Sequence, residues 1–194
     1  QTAGQENGSL SPRMPSENFG VYTLRKRVIN ENSYIGTMVT TRLGTDGSYN
    51  FGFGLNGDIR VGNRSYVNIR LASSADDQPI KSDDFSLVQS TVWRVVYERR
   101  GQLGFNYSAA MNWSGDQFDP GIGFVQRRDF TQPFWTLSYG WLAPEKSRIR
   151  IIEPNSLNSI YYRNSDGSIE SFMSQNELAF LMKNGDELDL AFAA

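Results

Sequence analysis

The stretch Tyr49–Val61, YNFGFGLNGDIRV, decides the fold. Taken at every second residue, it separates into Tyr49, Phe51, Phe53, Leu55, Gly57, Ile59 and Val61 on one side. Asn50, Gly52, Gly54, Asn56, Asp58 and Arg60 fall on the other. Successive side chains of a strand point to opposite faces, so the segment has one apolar face and one polar face. An ordinary strand runs about 5–6 residues; this alternation continues for about twice that. At about 3.3 Å per residue it reaches roughly 43 Å, or roughly 30 Å along the normal at a tilt near 45°. That length crosses the apolar band of an outer-membrane barrel, about 25 Å tall. It equally suits a long strand of a soluble sheet with its apolar face on a core.

The composition narrows the choices without settling them. The chain has 194 residues, 39% of them hydrophobic, and no run of about 18 apolar residues that would predict a membrane helix. A membrane barrel needs no such run, because half of each strand faces a polar interior. The formal charge of −2 gives no electrostatic case for nucleic acid as a partner. Cysteine and histidine are both absent. Disulfides, thiolate chemistry, a Ser-His-Asp triad and His-based metal sites are therefore excluded. No basic segment followed by an apolar one marks a signal peptide. No cofactor, metal site or catalytic residue is expected.

Working outward from Tyr49–Val61, period-two alternation predicts an all-β chain of about ten long strands. They form an antiparallel up-and-down meander over 18–194, with 1–17 as a polar loop. The expected strands are Phe19–Val28, Ser33–Arg42, Tyr49–Val61, Ser65–Ser73, Leu87–Arg99, Leu103–Ser114, Phe134–Trp141, Ser147–Tyr162, Ser168–Met182 and one from Glu187 to Ala194. The eighth is expected to bend at Glu153-Pro154-Asn155, since proline cannot donate to a ladder. No segment predicts a helix; 176–182 is the most ambiguous.

The connections carry a second signal. Those after odd-numbered strands (30–32, 62–64, 100–102, 143–146, 183–186) are all short. Those after even-numbered strands (43–48, 74–86, 115–133, 164–167) include both long loops. Short turns at one end and longer loops at the other predict part of a transmembrane β-barrel, with periplasmic turns and extracellular loops. Asp116, Asp119, Arg127 and Asp129 then belong to an extracellular loop. Asn56, Asp58, Arg60, Arg70, Arg94 and Glu98, all on polar faces of strands three to five, become lumen-facing candidates. The chain ends within a strand, which predicts that further strands complete the barrel.

Two stretches resemble a known family. They are Asn18–Arg27 (NFGVYTLRKR) followed by Ser33–Arg42 (SYIGTMVTTR), and Phe118–Asp129 (FDPGIGFVQRRD). With their order and spacing they are similar to the C-terminal barrel of large Bacteroidetes-type outer-membrane proteins. Those proteins carry an N-terminal domain like carbohydrate-binding module family 9. The resemblance spans roughly 18–190 and only the middle part of such a barrel. It implies the outer membrane of a Gram-negative bacterium, with the lipid bilayer, the remainder of the barrel and other outer-membrane proteins as partners. It implies a pore, transport or surface-anchoring role, linked to carbohydrate uptake only through a module outside this chain.

Other constellations are open to two readings. Asp76, Asp77, Asp83 and Asp84, with Asp116, Asp119 and Asp129, could form a calcium site or a carboxylate pair for glycoside hydrolysis; their spacing fits no calcium-loop consensus, and solvated loops explain them. Gly121-x-Gly123 has no following helix and suits a sharp loop. Arg25, Lys26, Arg27, Arg99 and Arg100 cluster by the short turns, where they could meet anionic head groups or line a pore rim. Trp93, Trp113, Trp135, Trp141, Tyr49 and Tyr139 lie on apolar faces, several near strand ends as an interfacial girdle requires. The alternative from a different class is a soluble β-sandwich or jelly roll that binds or cleaves polysaccharide. A third is an outer-membrane enzyme using Asp119 and Asp129.

Overall fold

The computed structural model describes residues 15–77 and 84–193. Its regular elements are the strands β1 (Glu17–Arg27), β2 (Tyr34–Gly44), β3 (Tyr49–Arg60), β4 (Ser65–Asp76), β5 (Thr91–Arg99), β6 (Gly104–Ser114), β7 (Phe130–Leu142), β8 (Ile149–Arg163), β9 (Ile169–Met182) and β10 (Glu187–Ala193). They form one antiparallel sheet in strict sequence order, β1 to β10. Strands β1 and β10 are its two edges; they do not pair with each other, and the sheet is open. No helix is long and apolar enough to cross a membrane among the described residues.

The register carries the alternation of β3 across the whole sheet. Phe53 stands opposite Val39 of β2 and Ser73 of β4; Leu55 stands opposite Thr37 and Leu71. Trp93 pairs with Leu71 and Trp113, and Phe105 with Tyr139. These residues share one face. The other face carries Asn56 opposite Arg70, Arg70 opposite Arg94, Arg94 opposite Asn112, and Asn112 opposite Gln132.

Burial runs opposite to that of a water-soluble sheet. Phe51, Phe53, Leu55 and Phe105 are 44–49% exposed, whereas Asn50 is 2% and Asn106 and Asn112 are 8% exposed. Ser74, Ser114 and Ser159 are buried too. Apolar side chains normally fill the interior, so a buried polar set beneath an exposed apolar face identifies the unusual surface of this chain. Among the described residues no second layer covers that face, because each strand packs on its sequence neighbours. One island interrupts it: Ser156, Asn158, Ser174 and Asn176 lie on the face of Trp135 and Leu137.

Aromatic residues gather toward the two ends of the apolar face. Toward the long loops, Trp93 and Trp113 stack with ring centroids 6.5 Å apart, and Tyr49 sits 5.7 Å from Phe51. Toward the short turns, Tyr139 is 4.7 Å from Trp141 and Tyr97 is 5.4 Å from Tyr107.

Several expected boundaries change. Leu87–Ser90 is not strand: Ser90 N–H donates to Ser86 O and Thr91 N–H to Val88 O, which coils the segment before β5. Strand β7 begins at Phe130 rather than Phe134, paired in full with the end of β6. Strand β1 begins at Glu17, within the expected loop 1–17, of which 1–14 lie outside the described residues. The eighth strand keeps its register at Pro154, which stands opposite Leu178. The pairing of β7 with β8 does have gaps, and they fall at Pro133 and Pro154, the residues without an N–H. The irregularities between β8 and β9 lie instead at Ile149/Ile151 and Tyr161/Tyr162. Residues 176–182 are strand.

Candidate functional site

The six polar residues singled out in strands three to five all occupy the polar face. Cross-strand pairing sets Asn56 beside Arg70, Arg60 beside Tyr66, and Tyr66 beside Glu98; Asp58 stands opposite Asn68. They separate into two groups by height on the sheet.

Near the short turns lies a charged cluster. Arg100 leaves the β5–β6 turn and reaches Asp58 Oδ2 at 3.1 Å and Glu98 Oε1 at 2.6 Å. Its guanidinium also sits 4.0 Å from the centre of the Tyr66 ring. Arg25 covers the Tyr34 ring in the same way at 3.3 Å. A polar cleft of about 470 Å³ lies among Arg25, Arg27, Tyr34, Asp58, Tyr66 and Arg100. Arg60 turns away from it and donates to Gly62 O and Asn63 O at the β3–β4 turn. Higher on the same face stand Arg70 and Arg94. Across the sheet the polar face becomes acidic: Glu153, Glu177, Glu187 and Asp189 share it on β8, β9 and β10.

The long-loop end is organised by residues 115–129. Asn50 is the anchor. Its Nδ2 donates to Asp119 O at 2.8 Å, and its Oδ1 accepts from Gly121 N–H at 2.7 Å. Ser74 Oγ accepts from Asp119 N–H at 2.8 Å. A β-carbon on Gly121 would lie 2.7 Å from Asn50 Cβ, so only glycine lets the loop close on that side chain. Phe118 is buried beside the polar face. Farther along, Arg127 Nη1 lies 3.3 Å from Glu170 Oε2, and its guanidinium is 4.3 Å from the Tyr161 ring centre. Asp129, at φ 57°, accepts from Ser165 Oγ at 2.6 Å. The loop therefore runs over the polar face from β3 and β4 to β8 and β9, fixed on both sides.

The loop candidates thus have defined places. Asp119 pairs with Arg128 at 2.8 Å, Arg127 with Glu170, and Asp116 N–H donates to Gln89 Oε1. Asp119 and Asp129 are engaged by different partners and make no shared contact. Among the described residues no group of three or more acidic side chains could hold a metal ion. Asp83 lies outside the described residues. The sequence reading did not single out Asn50, Ser74, Tyr161 or Glu170. Gly121-x-Gly123 was expected to permit a sharp loop; the close approach of Gly121 to Asn50 had no signal in the sequence.

Two turns at this end have carboxyls of altered acidity. The Ser48 hydroxyl and N–H donate to Asp46 at 2.7 and 3.0 Å, and Ser168 does the same for Asp166 at 2.6 and 2.9 Å. The hydroxyl bond first, then the backbone bond, holds each carboxyl below the ordinary 3.8. A depressed folded value means the turn's stabilisation is complete above 3.8 and fades as pH falls through the folded value. Amide resonances of Ser48 and Ser168 are accordingly expected to hold their positions at pH 4 and to shift only at lower pH; a shift centred above 3.8 would contradict this.

Comparison with protein-family models, with curated proteins and with solved structures gave no match.

Proposed function

We propose that this chain is a segment of a transmembrane β-barrel in the outer membrane of a Gram-negative bacterium. Its role is that of a pore, transport or surface-anchoring element, and no catalytic site is assigned to it. The observation that carries the reading is the inverted burial: Phe51, Phe53 and Phe105 lie open to the surroundings while Asn50, Asn106 and Asn112 are buried on the opposite face. Lipid-facing and interior-facing residues alternate in this sense along every strand of an outer-membrane barrel. Aromatic residues at both ends of the apolar face, and both long loops at a single end, support it further.

The unpaired outer edges of β1 and β10 are the places where further strands would join, since long open edges invite pairing. The island of Ser156, Asn158, Ser174 and Asn176 suits a protein neighbour better than acyl chains. The 115–129 loop, lying over the polar face, narrows the interior from the long-loop end. The resemblance to barrels of proteins with a family-9-like carbohydrate-binding domain adds a link to carbohydrate uptake, as part of this proposal.

A polysaccharide-binding sandwich would need a second sheet against the apolar face, and the described strands form one sheet. The test is detergent dependence. The chain is expected to stay folded and dispersed in detergent or lipid and to aggregate when these are removed. A folded monomer in plain buffer would overturn the membrane reading.

A further inference from the structure

Arg70 and Arg94 stand directly opposite each other on the polar face. Like charges in that position repel and weaken a sheet. Several other arginines of this face and its loop have a carboxylate partner. Arg42 pairs with Glu17, Arg100 with Asp58 and Glu98, Arg127 and Arg163 with Glu170. Among the described residues, Arg70 and Arg94 have neither an ion pair nor a hydrogen bond. The carboxylate nearest in register, Asp58, stands diagonal to Arg70 and is already held by Arg100 at 3.1 Å. The acidic side of the polar face lies on β8 to β10, three strands or more away. Both arginines are exposed.

They border a trough of about 580 Å³. Gly36 and Gly54 contribute no side chains to it, which leaves the backbone as its floor; Met38 and Val92 add apolar walls, and Asn56 a polar one. Ligand sites usually occupy about 300–1,000 Å³ and combine an apolar lining with a few convergent polar groups. Two adjacent guanidinium forks offer donors whose geometry matches carboxylate and phosphate oxygens. Val92 also borders the space under the 115–129 loop, so the trough opens beside that loop.

We propose that Arg70 and Arg94 form a binding site for the oxyanion of a polar solute, a carboxylate, phosphate or sulfate group, with the body of the solute lying in this trough. The bound anion supplies the countercharge that the protein itself withholds. The proposal rests on the reading of this face as lined by water.

The test is isothermal titration of the full chain, folded in detergent, with inorganic phosphate, sulfate and glucuronate at constant ionic strength. Saturable binding of at least one is expected, and which one identifies the oxyanion. The R70Q/R94Q double variant should bind about ten- to hundredfold more weakly, the loss expected for a charged hydrogen-bond pair. R42Q, which alters an arginine already paired with Glu17, should bind as the unaltered chain does. Removing two repelling charges should not unfold the sheet, and circular dichroism of each variant checks this. Equal affinity of the folded double variant and the unaltered chain, or no saturable binding of any of the three anions, would overturn the proposal. Contact with lipid but no anion binding removes the site alone; anion binding without lipid contact removes the membrane reading and leaves the site.

Discussion

Phe53→Arg is expected to lower the unfolding free energy in lipid by about 2–4 kcal/mol, the cost of a cation near the middle of a lipid-facing strand. Phe53 lies midway along β3, 48% exposed, with Val39 and Ser73 as its cross-strand neighbours. No acidic side chain occupies those neighbouring positions to receive the guanidinium. Asn56→Arg, three residues along, places the same group on the polar face. There water solvates it, and the one penalty is the like charge of Arg70 opposite, about 0.2–1 kcal/mol. The two variants differ only in which face receives the charge. Reversible denaturant titration in lipid vesicles measures both. Equal losses, or the larger loss at Asn56, would show that the apolar face does not meet hydrocarbon.

Asn50→Ala is expected to release one side of the 115–129 loop. The substitution leaves the carbonyl of Asp119 and the N–H of Gly121 without the partner each has at 2.8 and 2.7 Å. Asn50 is 2% exposed, so water does not readily replace it. Leaving a buried polar group unsatisfied costs about 1–3 kcal/mol. With two such groups the local cost comes to roughly 2–6 kcal/mol. That free energy belongs to the loop rather than to the sheet, because the ladders flanking Asn50 do not use its side chain. The readout is therefore limited proteolysis. Cleavage within 115–129 should rise sharply in the variant, while the strands resist as before. Arg127 and Glu170 still hold the far side, so N50A/R127Q should be cut faster than either single variant. A loop equally protected in N50A would mean that Asn50 is not its anchor.

Much of the sheet could be read from the sequence because period-two alternation is a local property. Tyr49–Val61 and Leu103–Ser114 declare their faces residue by residue, and the short turns oblige their neighbours to pair in order. The six polar positions from Asn56 to Glu98 follow from the same pattern, which is why all lie on one face. Legibility ends where structure depends on distant partners. Leu87–Ser90 has strand-like composition, yet Ser86 and Ser90 close it into a turn. The start of β7 was hidden by Pro133, whose missing N–H opens a gap in the ladder without ending it. The polar island on β8 and β9 appears only once the register is known. The anchor on the long loop joins Asn50 to Gly121 across 71 positions, and nothing in the neighbourhood of Asn50 distinguishes it from Asn56. Likewise the opposition of Arg70 and Arg94 is visible only once the register sets β4 against β5.

All four tryptophans, Trp93, Trp113, Trp135 and Trp141, lie on the apolar face. Their fluorescence in vesicles whose acyl chains carry bromine, which quenches on contact, examines the inverted sheet without altering a residue. Strong quenching by the brominated chains, with little by a water-soluble quencher, is the result predicted. Emission unaffected by the bromines would mean that the aromatic face meets protein or water instead of hydrocarbon, and would contradict the account.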